Sequence, residues 1–323
     1  MKRGVIVAVG ALAALGLAVA AGIASLSGKG MGPLIPPSEQ CEATVNGSTV
    51  VLDLEQAESA AIIAGVAVRR ALPPRAVTIA LATAYQESDL RNLNHGDRDS
   101  LGLFQQRPSQ GWGTPAQVRD PHYAAWKFYD ALVKIKNYQQ LEVTVAADRV
   151  QRSAFPNAYA DHEDDARILA SALTGQSRGT FSCTVDTDSQ QVESMGANGL
   201  TPRAEAVRKD LVKTYGKLST GGYAAGGITT GHMEGSAHYD GRAVDIFVKP
   251  ISAANTTRGW ALAQYLVAQA DRLKIRTVIF SDKIWTAGSR SDNGWRDYTP
   301  PQRAGNTDTL RHLDHVHVDV IED

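Results

Sequence analysis

Cysteine is scarce in this chain of 323 residues: Cys41 and Cys183 are its only two. They lie far apart and form no C-x2-C pair, which excludes the cysteine-rich zinc modules built on that spacing. Charge of one sign is lacking too. Lys and Arg total 33 against 34 Asp and Glu, a net charge of −1. No global basic field results, which argues against a nucleic-acid partner. From Gly4 to about Ser27 charged residues are absent altogether.

That uncharged run is long enough to span a bilayer as a helix. Lys2 and Arg3 before it favour a cytosolic N-terminus and place everything after it outside. Ala18-Val19-Ala20 has the small-residue pattern of a cleavage site, so two readings stand, a retained membrane anchor and a removed signal peptide. No Cys follows the run directly, which argues against a lipoprotein. Outside the cytosol Cys41 and Cys183 are expected to pair. The bond would close a loop of 142 residues, worth about 5 kcal/mol in the chain-entropy model.

What is present suggests several parts. With 43% hydrophobic and 21% charged residues the chain is globular in composition. Residues 1–40 read as the anchor or signal followed by a linker with Pro33, Pro36 and Pro37. Residues 41–183 read as helices: Leu54 to Leu72, Arg75 to about Leu90, Pro121 to about Ile135, Val143 to Arg152, and His162 to Thr174. Residues 184–200 are rich in Ser, Asp, Gln and Gly and read as an interdomain linker. Residues 201–323 mix helices at about 202–215 and 257–273 with strands at about 243–248, 276–281, 283–285 and 315–321. The fold class expected is thus multidomain, an all-α domain followed by a small α+β domain.

Within the helical part, Glu87 falls in the last turn of an apolar helix. There the dipole and an apolar neighbourhood both disfavour its ionised form, as suits a general acid. A solvated glutamate at a helix end is the commoner case. However, Glu87-Ser88 is followed by Gly102-Leu103-Phe104-Gln105 and Pro108. This pair of motifs resembles the lysozyme-like fold of lytic transglycosylases and goose-type lysozymes. The resemblance covers roughly residues 54–175. It implies that Glu87 protonates a glycosidic oxygen of peptidoglycan and that Gln105 holds the sugar. The family's Met is Phe104 here, and its later Ala-Tyr-Asn element has only Asn157-Ala158-Tyr159-Ala160 as a nearest counterpart. Asp97 or Asp99 could supply a second carboxylate for hydrolysis, or simply shape the turn. Hydrolytic and anhydro-forming cleavage both remain open.

In the last part, strand parity sorts a cluster of ligand types. His315, His317 and Asp319 share one face of a strand, and Val316, Val318 and Val320 the other. Asp245 likewise faces away from Val244, Ile246 and Val248. Gly241 permits the turn that brings His238 beside them. If the strands are neighbours, His238, Asp245 and His317 converge, a donor set that suits zinc with one position open to water. The bland reading is a wet sheet face with ordinary hydrogen bonds.

The pattern Ser236-x-His238-x-x-Gly241-x-Ala243-x-Asp245 followed by His315-x-His317 resembles the LAS-type zinc peptidases, which include D-Ala-D-Ala carboxypeptidases and the hedgehog domain. The resemblance covers about residues 202–323. It implies zinc on His238, Asp245 and His317, with Asp314 as general base and His315 supporting the bound water. Parity sets Asp314 opposite to His317, so His315 is the better base unless the strand starts or bulges there. The Arg or Gln that such peptidases carry before the first His has no obvious counterpart between Gly221 and Gly235. Together the two resemblances imply an extracytoplasmic peptidoglycan hydrolase with two activities. The alternative is a peptidoglycan- and zinc-binding scaffold of the cell envelope.

Overall fold

A computed structural model describes residues 39–153, 157–187, 193–302 and 305–322. The expected anchor or signal segment and nearly all of its linker lie outside the described residues. Among the described residues no helix is long and apolar enough to cross a membrane.

The described residues open with a hairpin. Strands Gln40–Val45 (β1) and Ser48–Leu52 (β2) pair antiparallel, with Val45 opposite Ser48. Asn46 and Gly47 between them both take positive φ, 53° and 83°. A two-residue turn with both φ positive is type I′, for which Asn-Gly is the favoured sequence. Strand Phe181–Thr184 (β3) joins the other side of β1, in a register that sets Cys41 opposite Cys183. The two are disulfide-bonded, as expected.

These strands overturn the expected all-α first domain. A three-stranded antiparallel sheet brackets the helices instead. Strands of four to six residues carry too little periodicity to compete with the long helical pattern between them.

The helices lie close to their expected places. Leu54–Arg69 (α1) starts at a capping box between Asp53 and Gln56. Pro74–Ser88 (α2) ends with Asp89 in the left-handed region. Pro121–Leu132 (α3) is capped by Asp120, and Val143–Gln151 (α4) and Glu163–Leu173 (α5) follow. Pro202–Tyr215 (α6) is capped by Thr201 and Ala253–Ala268 (α7) by Ser252.

The second sheet has six antiparallel strands: Thr220–Gly221 (β4), Ala243–Phe247 (β5), Ile275–Phe280 (β6), Lys283–Thr286 (β7), Arg296–Asp297 (β8) and His315–Val320 (β9). Their order is β4-β5-β9-β6-β7-β8.

Helix α7 joins the two sheets' surroundings. It packs against α1, β3 and β6. Gly65 of α1 makes room for α6: a Cβ there would sit 2.4 Å from Thr214 Cγ2. Gln264 of α7 is fully buried and its amide oxygen accepts from the backbone N–H of both Thr180 and Phe181, each at 2.9 Å. Trp285 Nε1 donates to Cys183 O, and Trp295 Nε1 to Phe181 O. Thr184, where a linker was expected to begin, ends β3, and Val185 O accepts from Gly288 N. One apolar core runs from Cys41 to Val320, and Glu39–Asp323 form one compact unit. The all-α domain followed by a separate small domain is therefore replaced by a mixed α and β body.

Candidate active sites

The ligand cluster rests on the pairing of β5 with β9. Their register sets Asp245 directly opposite His317, which brings together the two polar faces that parity had sorted separately. The valines of β9 are buried, and the histidines line a cleft of about 590 Å³ on the other face. His238 enters from the turn before β5 and is 2% exposed. Three donor atoms meet. His238 Nε2 lies 3.0 Å from His317 Nδ1, His317 Nδ1 3.1 Å from Asp245 Oδ1, and His238 Nε2 3.2 Å from Asp245 Oδ1. Zinc bonds of about 2.0–2.1 Å put neighbouring donors of a tetrahedral site roughly 3.3–3.4 Å apart. The triangle is close to that size, so the residues fit such an ion.

The outward-facing nitrogens are engaged as well. His238 Nδ1 lies 2.8 Å from Gly222 O and so donates to it, leaving Nε2 as the lone-pair donor. His317 Nε2 faces Asp319 Oδ2 at 3.3 Å and fixes the opposite tautomer, with Nδ1 inward. Gly222 is at φ 80°, and a Cβ there would sit 2.5 Å from His238 Nδ1. Burial works against ionisation of Asp245, but the hydrogen bonds of His238 and His317 hold its carboxyl far below the ordinary range. Burial alone would lower His317. The carboxylates of Asp245 and Asp319 instead raise it to about 9.

Asp314 does not reach this triangle. It stands just before β9 begins, and its Oδ1 accepts from His315 Nδ1 at 2.7 Å. Its Oδ2 accepts from Thr309 Oγ1 at 3.0 Å and pairs with Lys249 Nζ at 3.1 Å. The other ring nitrogen, His315 Nε2, lies 3.8 Å from Asp245 Oδ1. So Asp314 orients His315, and His315 presents a nitrogen to the cluster.

Three groups were not assigned from sequence. His232 stacks on His238 with ring centroids 3.9 Å apart. One ligand atom each from His232, His238 and Asp245 lies within 4.8 Å of the others. His312 stands 4.6 Å from the His315 ring, and burial lowers its pKa to about 3. Arg242 and Arg276 also line the cleft, each 3.5 Å from Glu322. They enter from β5's threshold and from β6, outside the stretch before His238 where an arginine was sought.

The second candidate centre is Glu87, in the last turn of α2 and half-buried. Burial raises its pKa, with hydrogen bonds from Tyr159 and Gln151 opposing. Tyr159 Oη donates to Glu87 Oε1 at 2.8 Å. Tyr159 belongs to the 157–160 stretch that looked like a distant counterpart of a family element. Ser88 Oγ donates to Leu103 O at 2.8 Å, which ties the helix end to the Gly102–Gln105 turn. Gln151 Nε2 holds Phe104 O at 2.7 Å. Gln105 has φ 45° and its amide donates to His95 O and Gly102 O, so here it braces the loop. Asp99 is bound by Ser109 N and Arg107, which hold it well below the usual carboxylate range, and it shapes the turn. Asp97 is exposed beside Arg98.

A family model described as the VldE C-terminal domain matches residues 196–310. No curated protein matches the chain. The matched segment contains His232, His238 and Asp245 and stops before β9, so part of this chain is similar to that domain while His315 and His317 lie beyond the match.

Proposed function

We propose that the chain is a hydrolase of the bacterial cell wall, held or released outside the cytoplasmic membrane by its N-terminal segment. Its principal centre is the cleft of His238, Asp245 and His317, cleaving the peptide stems of peptidoglycan with zinc. The observation that carries this reading is the donor triangle, with every edge at or below 3.2 Å. Bound there, zinc would supply a Lewis acid and a water acidic enough to act near neutral pH. The chain's own groups do the rest. Asp314 fixes His315 Nδ1–H, so that Nε2 is free to take a proton beside the triangle. Gly222 and Asp319 hold the two ligand rings in orientation. The LAS-type resemblance supplies the substrate class.

A second activity, on glycan strands of the same polymer, is favoured by the Tyr159–Glu87 pair. Burial raises the pKa of Glu87, the direction in which a general acid for such cleavage must move. The direct test is mass spectrometry of muropeptides released from cell walls by wild type, Glu87→Gln and His238→Ala. Peptide cuts should vanish in His238→Ala and on chelation, and glycan cuts in Glu87→Gln. If wild type binds walls and releases nothing, the scaffold reading takes its place.

A further inference from the structure

The metal reading leaves His232 unexplained. It is not in the motif that suggested the ligands, and it sits in a loop rather than a strand. Yet it lies against the triangle, ring to ring with His238 and within ligand reach of both His238 and Asp245. The loop holds it there by its backbone: His232 N donates to Tyr239 Oη at 3.0 Å, and Tyr239 Oη donates to His232 O at 2.8 Å. On either side the chain is built to bend. Gly226, Gly227, Gly231 and Gly235 all take positive φ, between 71° and 96°. A Cβ at Gly226, Gly231 or Gly235 would meet nothing within 4 Å, so open space surrounds these positions.

We infer that His232 is a fourth, detachable metal ligand. Turned out of its stack on His238, it would join His238, Asp245 and His317 in a site closed by four protein ligands, the arrangement of structural zinc. A catalytic zinc keeps one position for water. The closed site is then a resting form, and substrate enters as the glycine-rich loop lifts His232 away. The inference rests on the metal reading above but adds a residue to it.

Cobalt(II) alone reports both, since its visible spectrum distinguishes four-coordinate from more open sites. The full chain is titrated as wild type, His232→Ala, Tyr239→Phe and His238→Ala. Wild type should give the intense four-coordinate spectrum. His232→Ala should bind at least about tenfold more weakly, no less than loss of an outer-shell partner costs, and lose band intensity. Tyr239→Phe, which keeps the imidazole but frees its loop, should shift in the same direction by less. Unchanged affinity and spectrum in His232→Ala, with binding abolished in His238→Ala, would overturn the role of His232 and leave the metal site standing. No cobalt binding by wild type would overturn both.

Discussion

Glu87 shows how a single side chain acquires its chemistry from neighbours that are remote in sequence. Its place at the end of an apolar helix was legible, but Tyr159 lies 72 residues on. Only the packing of the helices brings them together. Tyr159 donates to the ionised form of Glu87 and lowers its pKa against the effect of burial. The sign of a pH experiment follows. A general acid works while protonated, so glycan cleavage should fall as pH rises through the raised pKa of Glu87. Tyr159→Phe removes a bond that favours the carboxylate, so that alkaline limb should move to higher pH. Glu87→Gln should cost at least about 100-fold in rate below the pKa of Glu87, with the gap closing above it as the wild type loses its acid. A limb that stays in place in Tyr159→Phe would show that Glu87 is not the titrating group.

Among the cleft residues, parity put Asp245 and His317 on the polar faces of their strands, and the pairing of β5 with β9, which parity did not supply, sets them opposite one another. For the base, parity left two readings, His315, or Asp314 where the strand starts or bulges; β9 does start at His315, and Asp314 there is hydrogen-bonded to His315 Nδ1. Parity says nothing about a glycine-rich loop, which has no faces, and so His232 was invisible to it.

At the scale of elements, the hairpin that opens the described residues has a legible turn. Asn46-Gly47 stands between two alternating runs, a strong short-range turn signal. Its partner β3 was not readable, since Phe181–Thr184 becomes a strand only by pairing with residues about 140 positions earlier. The disulfide joins these two strands at opposed positions. Its removal in a Cys41→Ala, Cys183→Ala double variant should destabilise the fold by roughly 2–5 kcal/mol, measured by denaturant midpoint. A loss below about 1 kcal/mol would mean that the sheet and core already hold the ends together.

The turn that carries Gly222 offers a second prediction at this scale. Its carbonyl orients His238, and its missing side chain leaves room for the ring. Gly222→Ala combines a positive φ with a steric clash. It should abolish high-affinity zinc binding while circular dichroism stays native, because β5 and β9 pair without that residue. Zinc affinity within threefold of wild type would show that the ring tolerates displacement.

For the whole molecule, one core unites what composition had divided. The Ser- and Gly-rich stretch after β3 looked like a boundary, but burial continues on both sides of it through α1, α6 and α7. Such contacts between distant helices leave no local signature. Glu58 of α1 lies in this shared region, 3.8 Å from Arg272. Burial raises its pKa to about 7; Arg272 opposes, while Asp271, Glu55 and Asp210 add to the rise. The folded form therefore holds a proton that the unfolded chain releases above about pH 4.5. The associated stability is full below that pH and lost as pH climbs through about 7. Glu58→Gln should be more stable than wild type at pH 8 and gain nothing at pH 4. Thermal unfolding at the two pH values measures it, and an equal effect at both would assign the change to packing.

The six-stranded sheet ends on both sides in strands of two residues, β4 and β8. A peptide can extend a sheet only where a free edge gives its backbone a ladder, and edges this short give almost none. On the proposed reading, a peptide in the cleft over β5 and β9 is gripped by side chains and the zinc they would hold, without a pleated backbone in register. Such a grip makes no demand that successive residues share one handedness. On that reading a peptide mixing D and L residues forfeits no pleated ladder here, and an extended L-peptide gains none.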